Sequence, residues 1–210
     1  MQKLMIRLLL ISALLFQLVS CKPYQVQNSV VKQTSIKEFK NPYFDNPEID
    51  YVYKAQIEVY GNKLGGIFVA KKISDSVHRV VFTTEFGNKL MDFELSDNEF
   101  KVNYIIEQLD KKIILNTLKE DFRLLLKVHH QINQSFENDL FNVYKSNNDK
   151  RFIYFFINRN DNKLIKLISA SKYKEKVVFE FESKNTTFAE MIRINHKNIK
   201  LKIELNQIIN

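Results

Sequence analysis

Residues 51–59 read Tyr51-Val52-Tyr53-Lys54-Ala55-Gln56-Ile57-Glu58-Val59, with Tyr53, Ala55, Ile57 and Val59 alternating against Lys54, Gln56 and Glu58. Period-two alternation places apolar side chains on one face of a β-strand and polar ones on the other. Gly61-Asn62 follows as a turn signal. The same period returns near the C-terminus, where Ile199, Leu201, Ile203 and Leu205 alternate with Lys200, Lys202 and Glu204. Between them, strands are expected at 64–72, 77–86, 88–95 and 99–105. Their links, Ser74-Asp75, Gly87-Asn88 and Ser96-Asp97-Asn98, are the short polar connections of antiparallel hairpins.

From Glu107 to His130 the spacing shifts to a helical stripe of Leu109, Ile113, Leu118, Phe122, Leu125 and Leu126. Thr117-Leu118-Lys119-Glu120 fits a capping box inside that stripe, so an interrupted helical hairpin or two short helices are expected. Strands resume at about 141–146, 151–157, 163–170, 173–182 and 198–207. The order strands, helix, strands predicts a mainly β domain: a large curved antiparallel sheet or incomplete β-barrel closed by a helical insertion. The inside of the curve is the natural place for the helix stripe. Alternation does not separate a solid core from an open lipid pocket, because both need the same apolar face.

Composition agrees with one globular domain. The 210 residues are 45% hydrophobic and 27% charged, with four glycines and three prolines, which excludes disordered and low-complexity classes. One cysteine and no tryptophan exclude a disulfide framework and a Cys-rich zinc site, while nine tyrosines and 17 phenylalanines suit a strand-rich interior. Residues 145–210 hold 14 Lys and Arg against seven Asp and Glu, and residues 22–144 hold 16 against 17. Such a basic C-terminal half suits either a solvated lysine-rich surface or contact with anionic headgroups. A nucleic-acid partner is not expected, since no recognised binding motif occurs.

Residues 1–20 have the form of a secretory leader, with Lys3 and Arg7 ahead of an apolar run from Leu8 to Phe16 that is too short for an ordinary membrane span. The run ends in Leu18-Val19-Ser20-Cys21, which resembles the bacterial lipobox. That resemblance implies cleavage before Cys21 and acylation of its thiol and amine, and two acyl chains suffice for stable anchoring. Lys22 stands where many Gram-negative lipoproteins carry a retention aspartate, which implies export to the outer membrane, on its periplasmic face. Without Lys3 and Arg7 the net charge is about +6. Residues 21–47 carry all three prolines, Pro23, Pro42 and Pro47, with no sustained period. They are expected to form a lipidated tether ahead of the domain at 48–210. A short packed helix using Val26, Val30 and Val31 is the competing expectation.

Catalytic constellations are weak. Ser29-Val30-Val31-Lys32 and Ser169-Ala170-Ser171-Lys172 match Ser-x-x-Lys, and Ser96-Asp97-Asn98 matches the second box of penicillin-binding enzymes, but no Lys-Thr-Gly is present. His129 and His130 are adjacent and diverge, and His78 and His196 lack acidic or cysteine neighbours at ligand spacing. Glu180 and Glu182 alternate on one outward strand face. No enzyme activity, cofactor or metal is expected.

Gly65-Gly66-Ile67-Phe68-Val69, Arg79 to Gly87 and Leu90 to Leu95 resemble the central hairpins of the LolB outer-membrane lipoprotein receptors. Phe188-Ala189-Glu190-Met191-Ile192-Arg193-Ile194 and Ile199 to Ile203 resemble that family's closing strand pair. The resemblance implies a LolA/LolB-like half-barrel, monomeric, holding acyl chains of a lipoprotein, or lipid, in an apolar cavity and receiving them from a periplasmic LolA-like carrier. It implies a membrane-insertion loop at Phe86 before Gly87, a sensible place for an aromatic wedge. The competing expectation is that Phe86 packs as a hairpin-end core residue. Cavity-facing candidates are Ile57, Val59, Phe68, Phe82, Met91, Phe93, Phe100, Phe179 and Phe181. Glu85 and Ala189 replace family prolines, and the interval 107–130 is shorter than the family's. A second function fits the same fold: a non-catalytic structural lipoprotein serving as an envelope scaffold, its interior filled by side chains.

Overall fold

The computed structural model describes residues 23–33, 36–148 and 151–208; the leader and the lipobox Cys21 lie outside the described residues. The first half forms β1 (Val30–Lys32), β2 (Glu38–Lys40), β3 (Tyr51–Val59), β4 (Asn62–Lys72), β5 (His78–Thr83), β6 (Lys89–Leu95) and β7 (Phe100–Ile105). One helix, α1 (Lys112–Leu126), follows. The second half forms β8 (His129–Gln131), β9 (Gln134–Glu137), β10 (Phe141–Asn148), β11 (Arg151–Asn158), β12 (Leu164–Ala170), β13 (Glu175–Glu182), β14 (Met191–His196) and β15 (Leu201–Gln207).

Thirteen strands make one antiparallel sheet in the order β1-β9-β10-β11-β12-β13-β14-β15-β3-β4-β5-β6-β7, and β2 pairs with β8 separately. The two period-two segments of the sequence meet at its centre, where Ile203 of β15 lies opposite Ile57 of β3. Register shifts at Phe82/Thr83, Asp92/Phe93, Phe156/Ile157 and Ser169/Ala170 add local twist and bend that help such a wide sheet curl. Its edge strands β1 and β7 do not pair with each other, so the barrel is incomplete.

Alternation now has a direction. Ile57, Phe68, Phe82, Phe93, Phe179 and Ile194 point to the concave side and belong to one core cluster, which α1 completes with Ile114, Leu118, Phe122 and Leu125. The glutamates Glu180 and Glu182 face outward. On the convex side a smaller cluster of Val143, Tyr154, Phe156, Ile168 and Val178 is covered by Val26 and Tyr24.

Two local expectations differ from the structure. The interval 107–130 holds a single helix, because Thr117 is not a cap: its Oγ1 donates to the Ile113 carbonyl at 2.7 Å within the helix. The described residues among 23–47 do not form a free tether. Strand β1 pairs with β9, and Tyr43 and Phe44 are fully buried. The Tyr43 hydroxyl donates to the Leu164 carbonyl at 2.9 Å, and the Phe44 ring sits 4.8 Å from that of Tyr51. Prolines and the left-handed backbone of Phe44 (φ 64°) hide this packing from any periodic reading. Val30 and Val31, assigned to a packed helix in the competing reading, lie exposed on an edge strand.

Candidate functional site

The concave face collects the expected acyl-facing residues. Ile57, Val59, Phe68, Phe82, Met91, Phe93, Phe179 and Phe181 are all buried in one cluster, and Phe100 on edge strand β7 is half-buried with its ring 5.1 Å from Phe93. Among the described residues no open hollow adjoins the fully buried members of this set. Ile57, Phe68, Phe82, Met91, Phe93 and Phe179 have 0% exposure, so no water-sized space touches these side chains. The volume inside the curve is filled by Leu118, Phe122 and Leu125 of α1 and by Tyr43 and Phe44 of the lead-in. The Phe122 ring lies 5.5 Å from Phe68 and 6.5 Å from Phe93. The Tyr43 ring lies 5.2 Å from Phe181.

A buried hydrogen bond between a histidine and an aspartate ties the covering helix to the sheet. His196 Nε2 of β14 and Asp121 Oδ2 of α1 are 2.8 Å apart, with both side chains almost wholly buried. Burial pushes the Asp121 carboxyl up, and its bond to His196 opposes that shift. Sequence spacing had no means of finding this pair, since the partners are 75 residues apart. The bond joins α1 to β14, a geometry that fixes where α1 sits.

On the outer face Asp92 is fully buried. It accepts from Arg79 Nε at 2.9 Å and Nη2 at 2.7 Å, from Lys89 Nζ at 2.8 Å and from Asn103 Nδ2 at 3.3 Å. Those bonds, Arg79's foremost, hold its carboxyl well below the usual carboxylate range. The network staples β5, β6 and β7 on the side opposite the core.

The loop between β5 and β6 projects from the sheet. Gly87 N–H donates to the Thr84 carbonyl at 3.0 Å, and Asn88 N–H to Thr84 Oγ1 at 3.1 Å. Gly87 holds φ +84°, which L side chains rarely adopt. Glu85 crosses to Lys54 of β3 at 2.9 Å. The base of the loop crosses β4 so closely that a Cβ on Gly66 would stand 1.8 Å from the Thr83 carbonyl oxygen. At the tip, Phe86 is 95% exposed and does not pack into the core.

In the first Ser-x-x-Lys match Ser29 Oγ donates to the Val26 carbonyl and Lys32 Nζ pairs with Glu137 Oε2 at 2.6 Å; in the second Ser169 is buried within β12 and Lys172 Nζ lies 5.5 Å from the Tyr173 ring centre. Ser96 Oγ accepts from Glu99 N–H as an ordinary turn residue. Among the described residues no group of three His, Cys, Asp or Glu side chains is placed to hold a metal, and no helix is long and apolar enough to cross a membrane.

A wide unclosed antiparallel sheet with one helix on its apolar concave face is a LolA-like fold. A LolA superfamily protein from Nitrosomonas europaea superposes with a TM-score of 0.51 at 8% identity, covering 80% of this chain and 89% of that one. A DUF1329 family protein from Desulfovibrio piger gives a TM-score of 0.41 at 7% identity, over 78% of this chain and 86% of that one. No family model matches the sequence, and no curated protein matches it. The likeness is therefore one of fold.

Proposed function

We propose that this protein is a lipoprotein, anchored through Cys21 to the periplasmic face of the outer membrane, that takes acyl chains of lipoproteins or lipid onto its concave face and passes them to the membrane. The observation that carries the reading is Phe86, a large aromatic side chain 95% exposed at the tip of the β5–β6 loop. Inserted into a leaflet, its ring brings the concave face to the acyl region. The LolA-like fold supports the same reading. So does the way the apolar face is covered, by α1 and the lead-in instead of by strand pairing.

In this reading Phe122, Leu118 and Leu125 fill the acyl site until cargo displaces them. Uncovering three such side chains costs about 5–9 kcal/mol, and an acyl chain of about 16 carbons offsets that at about 0.8 kcal/mol per buried methylene. No covalent step is needed. A LolA-like periplasmic carrier is the proposed donor, and direction follows the difference in affinity between donor and acceptor.

The filled interior favours a second reading, a monomeric structural lipoprotein using the fold as an envelope scaffold. The two separate on ligand capture. The chain from residue 21 with Cys21→Ala is expected to retain fatty acyl ligand in native mass spectrometry and to bind an apolar fluorophore. If it does neither, the carrier reading fails and the scaffold stands.

A further inference from the structure

The antiparallel order sorts the hairpin turns onto two ends of the sheet. Turns 60–61, 84–88, 171–174 and 197–200, after β3, β5, β12 and β14, share one end. Turns 73–77, 96–99, 138–140, 159–163 and 183–190 share the other. Their chemistry is opposed. The first end presents exposed Lys172, Lys174, Lys197 and Lys200 with Tyr60, Phe86 and Tyr173, two of these rings being about half exposed and Phe86 nearly free. Among the described residues its only turn acid is Glu85, already paired with Lys54. The segment 106–111 that leads into α1 at this end carries Glu107 and Asp110 beside Lys111. The turns of the far end carry Asp75, Asp97, Glu99, Asp139, Asp161 and Glu190 against Arg159, Lys163 and Lys184, with the aliphatics Ile49, Ile73, Leu140 and Ile208 exposed at that end and, among the described residues, no exposed aromatic ring in its turns.

The start of the described chain is fixed to the first end. Tyr24 N–H donates to the Lys172 carbonyl at 2.8 Å, its hydroxyl to Glu175 Oε1 at 3.1 Å, and its ring packs 5.1 Å from Tyr154. Cys21 precedes Tyr24 by three residues, a reach of at most about 11 Å.

We infer that this lysine- and aromatic-bearing end, with turns 60–61, 84–88, 171–174 and 197–200, is a docking surface for a bilayer containing anionic phospholipid. The inference rests on the proposed anchoring at Cys21, which brings the leaflet to this end and no other. Lysines gather headgroup charge and tyrosines settle at the interface, while Phe86 reaches past them. The far end, acidic and clear of the bilayer, stays in water.

The test uses the chain from residue 21 with Cys21→Ala, since every contact described above lies within residues 23–208. Co-sedimentation with phosphatidylglycerol-containing vesicles is compared with pure phosphatidylcholine vesicles. Tighter binding to the anionic vesicles, falling with added salt, is expected. The double variants Lys172→Glu/Lys174→Glu and Lys197→Glu/Lys200→Glu are each expected to weaken it about tenfold or more. Because they lie in different turns, misfolding of one leaves the other as the test. Arg159→Glu/Lys184→Glu at the far end is expected to change nothing. Equal affinity for neutral and anionic vesicles, or indifference to both rim variants, overturns the inference. Fluorophore binding is read separately: its loss with vesicle binding intact removes the acyl-carrier reading alone, and the reverse removes the docking surface alone.

Discussion

The ring of Phe122 on α1 stands 5.5 Å from Phe68 on β4, and this contact closes the concave face. Truncating Phe122 to alanine removes the central filler. Phe122→Ala is expected to lower unfolding free energy by about 3–5 kcal/mol in urea titrations. It is also expected to raise uptake of an apolar fluorophore, because the space it leaves is lined by Phe68, Phe93 and Leu118.

Phe86→Glu is expected to separate stability from membrane work. The side chain makes no core contact, so the unfolding free energy should stay within about 0.5 kcal/mol of the parent. Insertion into lipid monolayers, read as surface pressure, should fall several-fold, and an unchanged pressure rise would remove the wedge role.

Gly65 and Gly66 are neighbours with opposite tolerance. A Cβ on Gly65 meets nothing within 4 Å, whereas one on Gly66 meets the Thr83 backbone at 1.8 Å. Gly65→Ala should be neutral and Gly66→Ala should cost about 1–3 kcal/mol, since backbone must shift to admit it. Thermal midpoints of the two variants check the contrast.

His130 gives the fold an acid-sensitive window. Burial pulls its imidazole down from 6.5 to about 4, and its Nε2 meets the Lys127 carbonyl at 3.1 Å. The unfolded chain therefore takes up a proton before the folded one does. The contribution of His130 to stability is full above pH 6.5 and declines until about pH 4, by about 3 kcal/mol at most, while Asp121, pushed up by burial, acts in the opposite direction. His78, also lowered by burial, acts in the same direction as His130. Asp92 acts below this window, because the unfolded chain takes up a proton there only near and below the ordinary carboxyl value of 3.8, while the folded carboxyl stays ionised to lower pH. His130→Gln should flatten the larger part of the slope of urea midpoint against pH.

Removing one partner of the Asp121–His196 pair should be costly and removing both should not. His196→Ala leaves a buried carboxyl unpaired, with an expected loss of about 3 kcal/mol. Asp121→Leu combined with His196→Leu should recover most of that loss. A double-mutant cycle in urea measures the difference.

Much of the sheet was legible in the chain. Strands β3 to β7, β10 to β13 and β15 follow from alternation and turn residues, because a half-buried strand must write its two faces into every second side chain. The short strands β1, β2, β8 and β9 were not legible, since three or four residues carry no period. Tyr43 and Phe44 went unread for a related reason: irregular backbone buries side chains without a repeat.

The sequence by itself determined a curled, mainly β domain with one apolar helix stripe, since periodicity is a local property that each segment carries alone. Only the tertiary structure decided that the curl is filled, that Asp121 finds His196, and that lysines from two turns and aromatic rings from three share one end with Tyr24. Those outcomes depend on strand order and on the volume left over when faces meet, quantities that belong to the assembled chain and to no stretch of it.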